Sequence, residues 1–93
     1  MTKKERLIEL FKKSIECKAN YIAVSIETRG NDDVEIIVNP RNNFDNKLVY
    51  YCKAYNDDLV LNTYDGIRIV SVLGIQNDTT MNTAYEALLD SEI

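Results

Sequence analysis

Between residues 18 and 21 the hydrophobic period of the chain switches from about 3.6 to 2, and this switch constrains the fold more than any other feature. Upstream, Leu7, Ile8, Phe11 and Ile15 recur at helical intervals behind Thr2 and Glu5, which have capping-box spacing. Residues 3–18 are therefore predicted as an amphipathic helix, with Leu10 and Cys17 at the edge of the apolar face and Glu5, Glu9, Lys12 and Glu16 turned away. Downstream, Ile22, Val24 and Ile26 alternate with Tyr21, Ala23, Ser25 and Glu27, the pattern of a strand over 21–28. A helix must bury its stripe and a strand needs a neighbour, so the chain has to build a layered domain from both.

The turn residues Arg29-Gly30-Asn31-Asp32 lead into a β-rich run at 34–38, which predicts an antiparallel hairpin stopped by Asn39-Pro40. After the polar loop 41–43, Phe44, Leu48, Tyr51, Cys52 and Tyr55 trace a second helical stripe over 43–56, with Asn56 as its left-handed terminus. Leu59-Val60-Leu61 reads as a short extended run, Asp65-Gly66 as a hairpin turn and 67–73 as the strongest strand. A polar linker is expected at 76–80, then a terminal helix with Met81, Ala84, Tyr85, Leu88 and Leu89 on its apolar side. The expected order is α-β-β-α-β-β-α. This describes a single small α+β domain over residues 1–93, with amphipathic helices packed on one face of a small antiparallel sheet of two hairpins. Ninety-three residues supply one core and leave no material for a second domain.

The chain has no His and only two cysteines, Cys17 and Cys52, which removes zinc-finger and zinc-ribbon sites and imidazole acid/base chemistry. No apolar run approaches the roughly 20 residues of a spanning helix, and the charged start resembles no signal peptide. The expectation is a cytoplasmic protein that does not engage a membrane and whose two thiols stay reduced and buried. In that setting the glycosylation acceptor Asn77-Asp78-Thr79 carries no meaning. Gly30, Gly66 and Gly74 are isolated, so no phosphate-cradling loop is available, and no Ser or Cys has a Gly frame and an activating base. Asp32-Asp33-x-Glu35 and Asp57-Asp58 lack the alternating ligands of a calcium loop. Neither an enzyme nor a metal or cofactor site is expected.

Charge is unevenly spread. Residues 1–18 carry six basic and three acidic side chains, whereas residues 19–93 carry five basic and twelve acidic, for a net charge of −4. From Ala54 onward Arg68 is the only base, against Asp57, Asp58, Asp65, Asp78, Glu86, Asp90 and Glu92. Such a field steers basic partners, although solubility alone also explains it. Among six tyrosines, Tyr51, Tyr55 and Tyr85 fall on core stripes, while Tyr50 projects from the far side of its helix and Tyr64 lies beside a turn. Tyr50, Asp57, Asp58, Tyr64 and Asp65 are therefore the candidate protein contacts. Lys12 and Lys13 are the candidate phosphate contacts of an alternative reading, weakened by the interleaved Glu9 and Glu16 and by the overall acidity.

The segments Glu35-Ile36-Ile37-Val38-Asn39-Pro40, Asn43-Phe44-Asp45, Lys47-Leu48, Tyr50-Tyr51 and Ala54-Tyr55-Asn56-Asp57-Asp58-Leu59 resemble small uncharacterised proteins encoded by phages and prophages of Gram-positive bacteria. The likeness spans about residues 3–73 and rests on helix and turn signatures. It implies an accessory role in the host cytoplasm and supplies no activity. The expectation is a non-enzymatic module that binds a host or phage protein. A nucleic-acid-associated factor, or a self-associating protein that dimerises by a sheet edge or the last helix, stands as the alternative.

Overall fold

The computed structural model describes residues 1–77 and 81–93. Thr2 starts helix α1 (Lys3–Glu16) with the anticipated capping box: its hydroxyl accepts from the Glu5 N–H at 3.1 Å, and its own N–H donates to the Glu5 carboxylate at 3.3 Å. Of these, the Thr2 N–H stabilises the ionised Glu5 carboxylate directly and, with the Thr2 hydroxyl close by, lowers its pKa. The helix stops earlier than the apolar stripe implied, because Lys18 turns into the left-handed region at φ 57°. Leu7 and Phe11 are fully buried, whereas Ile15, near the exit, is 43% exposed.

Three strands follow the periodicity: β1 (Tyr21–Thr28), β2 (Glu35–Pro40) and β3 (Ile67–Ile75), in the antiparallel order β2-β1-β3. Ile22, Val24 and Ile26 of β1, with Ile69 and Val72 of β3, form one side of the core. Leu7 and Phe11 of α1 and Phe44 and Tyr51 of α2 (Phe44–Ala54) complete it, with Tyr55 and Leu59 just beyond α2. Strand β2 runs through Pro40 instead of stopping before Asn39. Proline is tolerated at the end of an edge strand, and the buried Asn39 side chain donates to the Ile22 carbonyl at 3.2 Å. Residues Arg41–Asn43, expected as a plain loop, make a 3-10 turn that feeds α2.

Two architectural expectations are overturned. The helices do not share one face: Ala84 and Leu88 of helix α3 (Met81–Leu89) are buried against Ala23 and the half-buried Ile36 and Ile75, on the sheet face opposite α1 and α2. Ala23, Ser25 and Ser71 make that approach feasible, because their side chains are small and the two serine hydroxyls hydrogen-bond to each other across β1 and β3. The sheet also has three strands rather than four. Leu59, wholly buried, adopts φ 61°, which breaks any extended run. Residues 59–61 therefore make only isolated bridges, Leu61 opposite Tyr55 and Val60 opposite Arg68, the latter supported by Leu61 N–H to Ile67 O and Ile69 N–H to Leu59 O, both 2.9 Å. At the other end of the same β3 edge Glu92 lies opposite Ser71, and the Ile93 N–H donates to Val70 O at 2.8 Å. Tyr85, assigned to a core stripe, is 49% exposed because α3 buries only its Ala84 and Leu88 side. Of the expected linker, residues 78–80 lie outside the described residues, as does the placement of the Met81 side chain.

Gly74 lets α1 sit close to β3. A Cβ there would lie 2.5 Å from Ser14 Oγ and 3.0 Å from Ser14 Cβ, and the hydroxyl is already held by the Leu10 carbonyl at 2.8 Å. Gly74→Ala is expected to destabilise the domain by about 1–3 kcal/mol in denaturant titration; wild-type stability would refute the tight helix–strand approach.

The core also contains a ring stack in which Phe11 and Tyr55 each meet Tyr51 edge-on, at centroid distances of 6.1 and 6.0 Å. Burial pushes the phenols of Tyr51 and Tyr55 upward, Tyr55 to about 12. The folded pKa thus exceeds the unfolded value of 10.0, so the unfolded chain releases these protons first as pH rises. Stability is expected to hold below pH 10 and to fall between 10 and about 12, read by thermal melts across alkaline pH. Unchanged melting over that window would contradict the buried stack.

Candidate functional site

Strand direction decides which loops become neighbours. β1 starts at Tyr21, opposite Pro40 and Ile75, and ends at Thr28, opposite Ile67. The turns at 29–34 and 62–66 consequently lie together at the Thr28 end, and the Arg29 N–H donates to Gly66 O at 2.7 Å. Helix α2 begins after Pro40 and runs toward the same end, where Lys4 ties the helices together. Its backbone N–H donates to Asp57 O at 3.1 Å, and its ammonium donates to Cys52 O at 2.9 Å, a favourable place for a cation at a helix C-terminus. Asp57, Asp58, Tyr64 and Asp65, four of the candidate contacts, therefore sit at one end of the domain, together with Asp32, Asp33 and Glu35.

The local chemistry explains how the acidic turn is held open. Asn56 does not close α2 in a left-handed conformation; Tyr55 already leaves the helix in an extended one, at φ −115° and ψ 147°. Instead the Asn56 side-chain oxygen accepts from the N–H groups of Asp58 at 2.9 Å and Val60 at 3.0 Å, an Asx-type turn. The turn leaves both Asp57 and Asp58 exposed, and among the described residues neither carboxylate enters an ion pair. Asp65 differs, lying 3.4 Å from Arg29, but both partners are largely exposed, so the contact is worth no more than about 1 kcal/mol. Asp65-Gly66, a hairpin signal in the sequence, does not join two strands of the sheet. Gly66 has no positive φ; its role is to accept the Tyr64 ring, whose atoms would overlap a Cβ at residue 66. Tyr64 remains 47% exposed.

Tyr50 lies in the second half of α2, 49% exposed, with its ring edge-on to Tyr51 at 5.4 Å and Lys47 Nζ 5.4 Å from its centroid. Lys12 and Lys13 are exposed on α1. Two other bases of that helix are engaged, Lys4 on Cys52 O and Arg6 with Glu9 at 2.8 Å, so the basic helix does not present one continuous cationic face. A hollow of about 530 Å³ beside Glu5, Ile8, Lys12 and Glu16 is lined by α1 and its preceding Met1 alone, with no group converging from a second element.

The expectation of buried thiols is overturned. Cys17 lies in the exposed exit of α1 and Cys52 is half-buried, and both are free. Cys17 sits at the edge of the stripe, where the helix ends before the core can cover it. Among the described residues no group of three His, Cys, Asp or Glu is arranged to hold a metal ion, and no helix is long and apolar enough to cross a membrane. Sequence reasoning missed Arg29 as the partner of Asp65 and Asn56 as the organiser of the acidic turn. The second was readable, since an Asn that follows a helical stripe and precedes a polar turn can accept from the backbone N–H two residues on. No family model, curated protein or solved structure matches the chain.

Proposed function

We propose that the protein is a non-enzymatic binding module that docks a basic surface of another protein against its acidic end. Asp57 and Asp58 supply the field, Asp65 extends it, and Tyr64 and Tyr50 offer amphipathic contact area. The observation that carries this reading is the gathering of these turns at one end of the sheet, with Asp57 and Asp58 exposed and unpaired among the described residues. The resemblance to small phage and prophage proteins, read from the sequence over about residues 3–73, motivates an accessory role in a bacterial host cytoplasm, with a host or phage protein as partner. Engagement of Lys4 and Arg6 within the fold favours this reading over phosphate binding by Lys12 and Lys13.

The test is affinity capture from a Gram-positive lysate with wild type and the Asp57→Lys, Asp58→Lys double variant, at low and moderate salt. A stoichiometric protein partner whose association rate falls with the charge reversal, and falls for wild type with salt, is expected. A partner held equally by both proteins at low salt, or capture of nucleic acid lost only on Lys12→Glu and Lys13→Glu, would reject the acidic end as the site.

A further inference from the structure

The two edges of the sheet are treated differently. The outer edge of β3 is covered by residues 59–61 at one end and by Glu92 and Ile93 at the other, whereas among the described residues nothing pairs with the outer edge of β2. An uncovered edge presents free N–H and C=O groups that template another strand. Beside it, Ile36 and Val38 of β2 face Ala84, Tyr85 and Leu88 of α3 across an apolar cleft of about 60 Å³. Val38 is 49% exposed, Tyr85 49% and Leu89, one turn further along α3, 51%. An apolar row next to an open edge is usually defended by charge within the strand, and here the charges stand only at its two ends.

Those end charges identify the occupant. Exposed Asp32 and Asp33 precede Glu35 at the start of β2, with Arg29 as the minority charge. Arg41 follows its last residue and donates to the carbonyls of Lys18 at 2.9 Å and Ala19 at 3.1 Å, so two cations flank that end, with Asp45 as the minority charge. A strand acidic at one end and basic at the other is complementary to itself when antiparallel. Directly opposed residues must share a sheet face, and a twofold axis through Val38 meets this condition. Val38 then meets the partner's Val38, Ile36 meets the partner's Pro40, and Glu35 meets the partner's Arg41. A twofold axis perpendicular to the sheet keeps both α3 helices on one side, so the two apolar clefts adjoin.

We propose that the chain forms a twofold homodimer by antiparallel β2–β2 pairing, joining two three-stranded sheets into one. Pro40 has no N–H to offer and the strand is six residues long, so the interface is small and the dimer reversible. This surface is distinct from Asp57, Asp58 and Asp65, and either assignment can fail without the other.

Sedimentation equilibrium across a concentration series is the test, with Val38→Lys, Glu35→Lys and the Asp57→Lys, Asp58→Lys variant run beside wild type. Wild type is expected to approach twice its monomer mass of 10.7 kDa. Val38→Lys, which sets two like charges face to face, should raise the dimer Kd by about tenfold or more. Glu35→Lys should raise it by about threefold at low salt and less at high salt. The Asp57→Lys, Asp58→Lys variant should dimerise as wild type does. Amide exchange on wild type decides the matter even if Val38→Lys fails to fold, because residues 36–39 should gain protection as concentration rises. A wild type that stays monomeric to about 1 mM, a dimer indifferent to Val38→Lys, or protection gained elsewhere would overturn the proposal.

Discussion

The structure depends on β1 being buried on both of its faces and paired along both of its edges. Ile22, Val24 and Ile26 demand an apolar layer on one side, and α1 and α2 supply it through Leu7, Phe11, Phe44 and Tyr51. Ala23 and Ser25 are equally buried on the other side, where Ser25 bonds to Ser71 and α3 brings Ala84 and Leu88 against Ala23. β2 and β3 both run antiparallel to it, which brings the turns at 29–34 and 62–66 to one end.

Much of this is legible in the chain where a local signal and a burial requirement agree. The capping box at Thr2 and Glu5, the alternation through 21–28 and the stripe of Phe44, Leu48, Tyr51 and Tyr55 each carry two concordant signals, and each element forms. Where one signal stands alone, tertiary contacts decide. Leu59, Val60 and Leu61 look extended, but burying Leu59 under the core takes a left-handed backbone that a strand cannot contain. Tyr85 and Cys17 sit at the margin of helical stripes, and periodicity does not say how wide a face the sheet will cover. The side on which α3 packs was illegible for a related reason: alternation of large with small residues reads as one-sided, although small residues are what a second helix needs on a central strand.

The candidate contacts show the same division. Their residue types were evident from the acidic bias after Ala54, but their convergence is a product of topology, since residues 29–35 and 57–66 meet only because β1 and β3 are antiparallel. Function then follows from what the packed core leaves unused. The carboxylates of Asp57 and Asp58 enter no ion pair among the described residues, on a turn held by Asn56, which accepts from the N–H groups of Asp58 and Val60, and the β2 edge remains open because the strand-like segments of the chain's second half close β3 instead. On these proposals one end of the domain is open to a basic partner through Asp57, Asp58 and Asp65, and one edge to a second copy, the two adjoining at Asp32, Asp33 and Glu35.

Two-sided burial of β1 is the claim on which these assignments rest, and side-chain proton contacts in solution test it most directly. Nuclear Overhauser effects are predicted from the Leu88 and Ala84 methyls to Ala23, with none from Leu88 to Leu7 or Phe11. Contacts from Leu88 to Leu7 or Phe11, with Ala23 open to solvent, would put all three helices on one face and contradict the account.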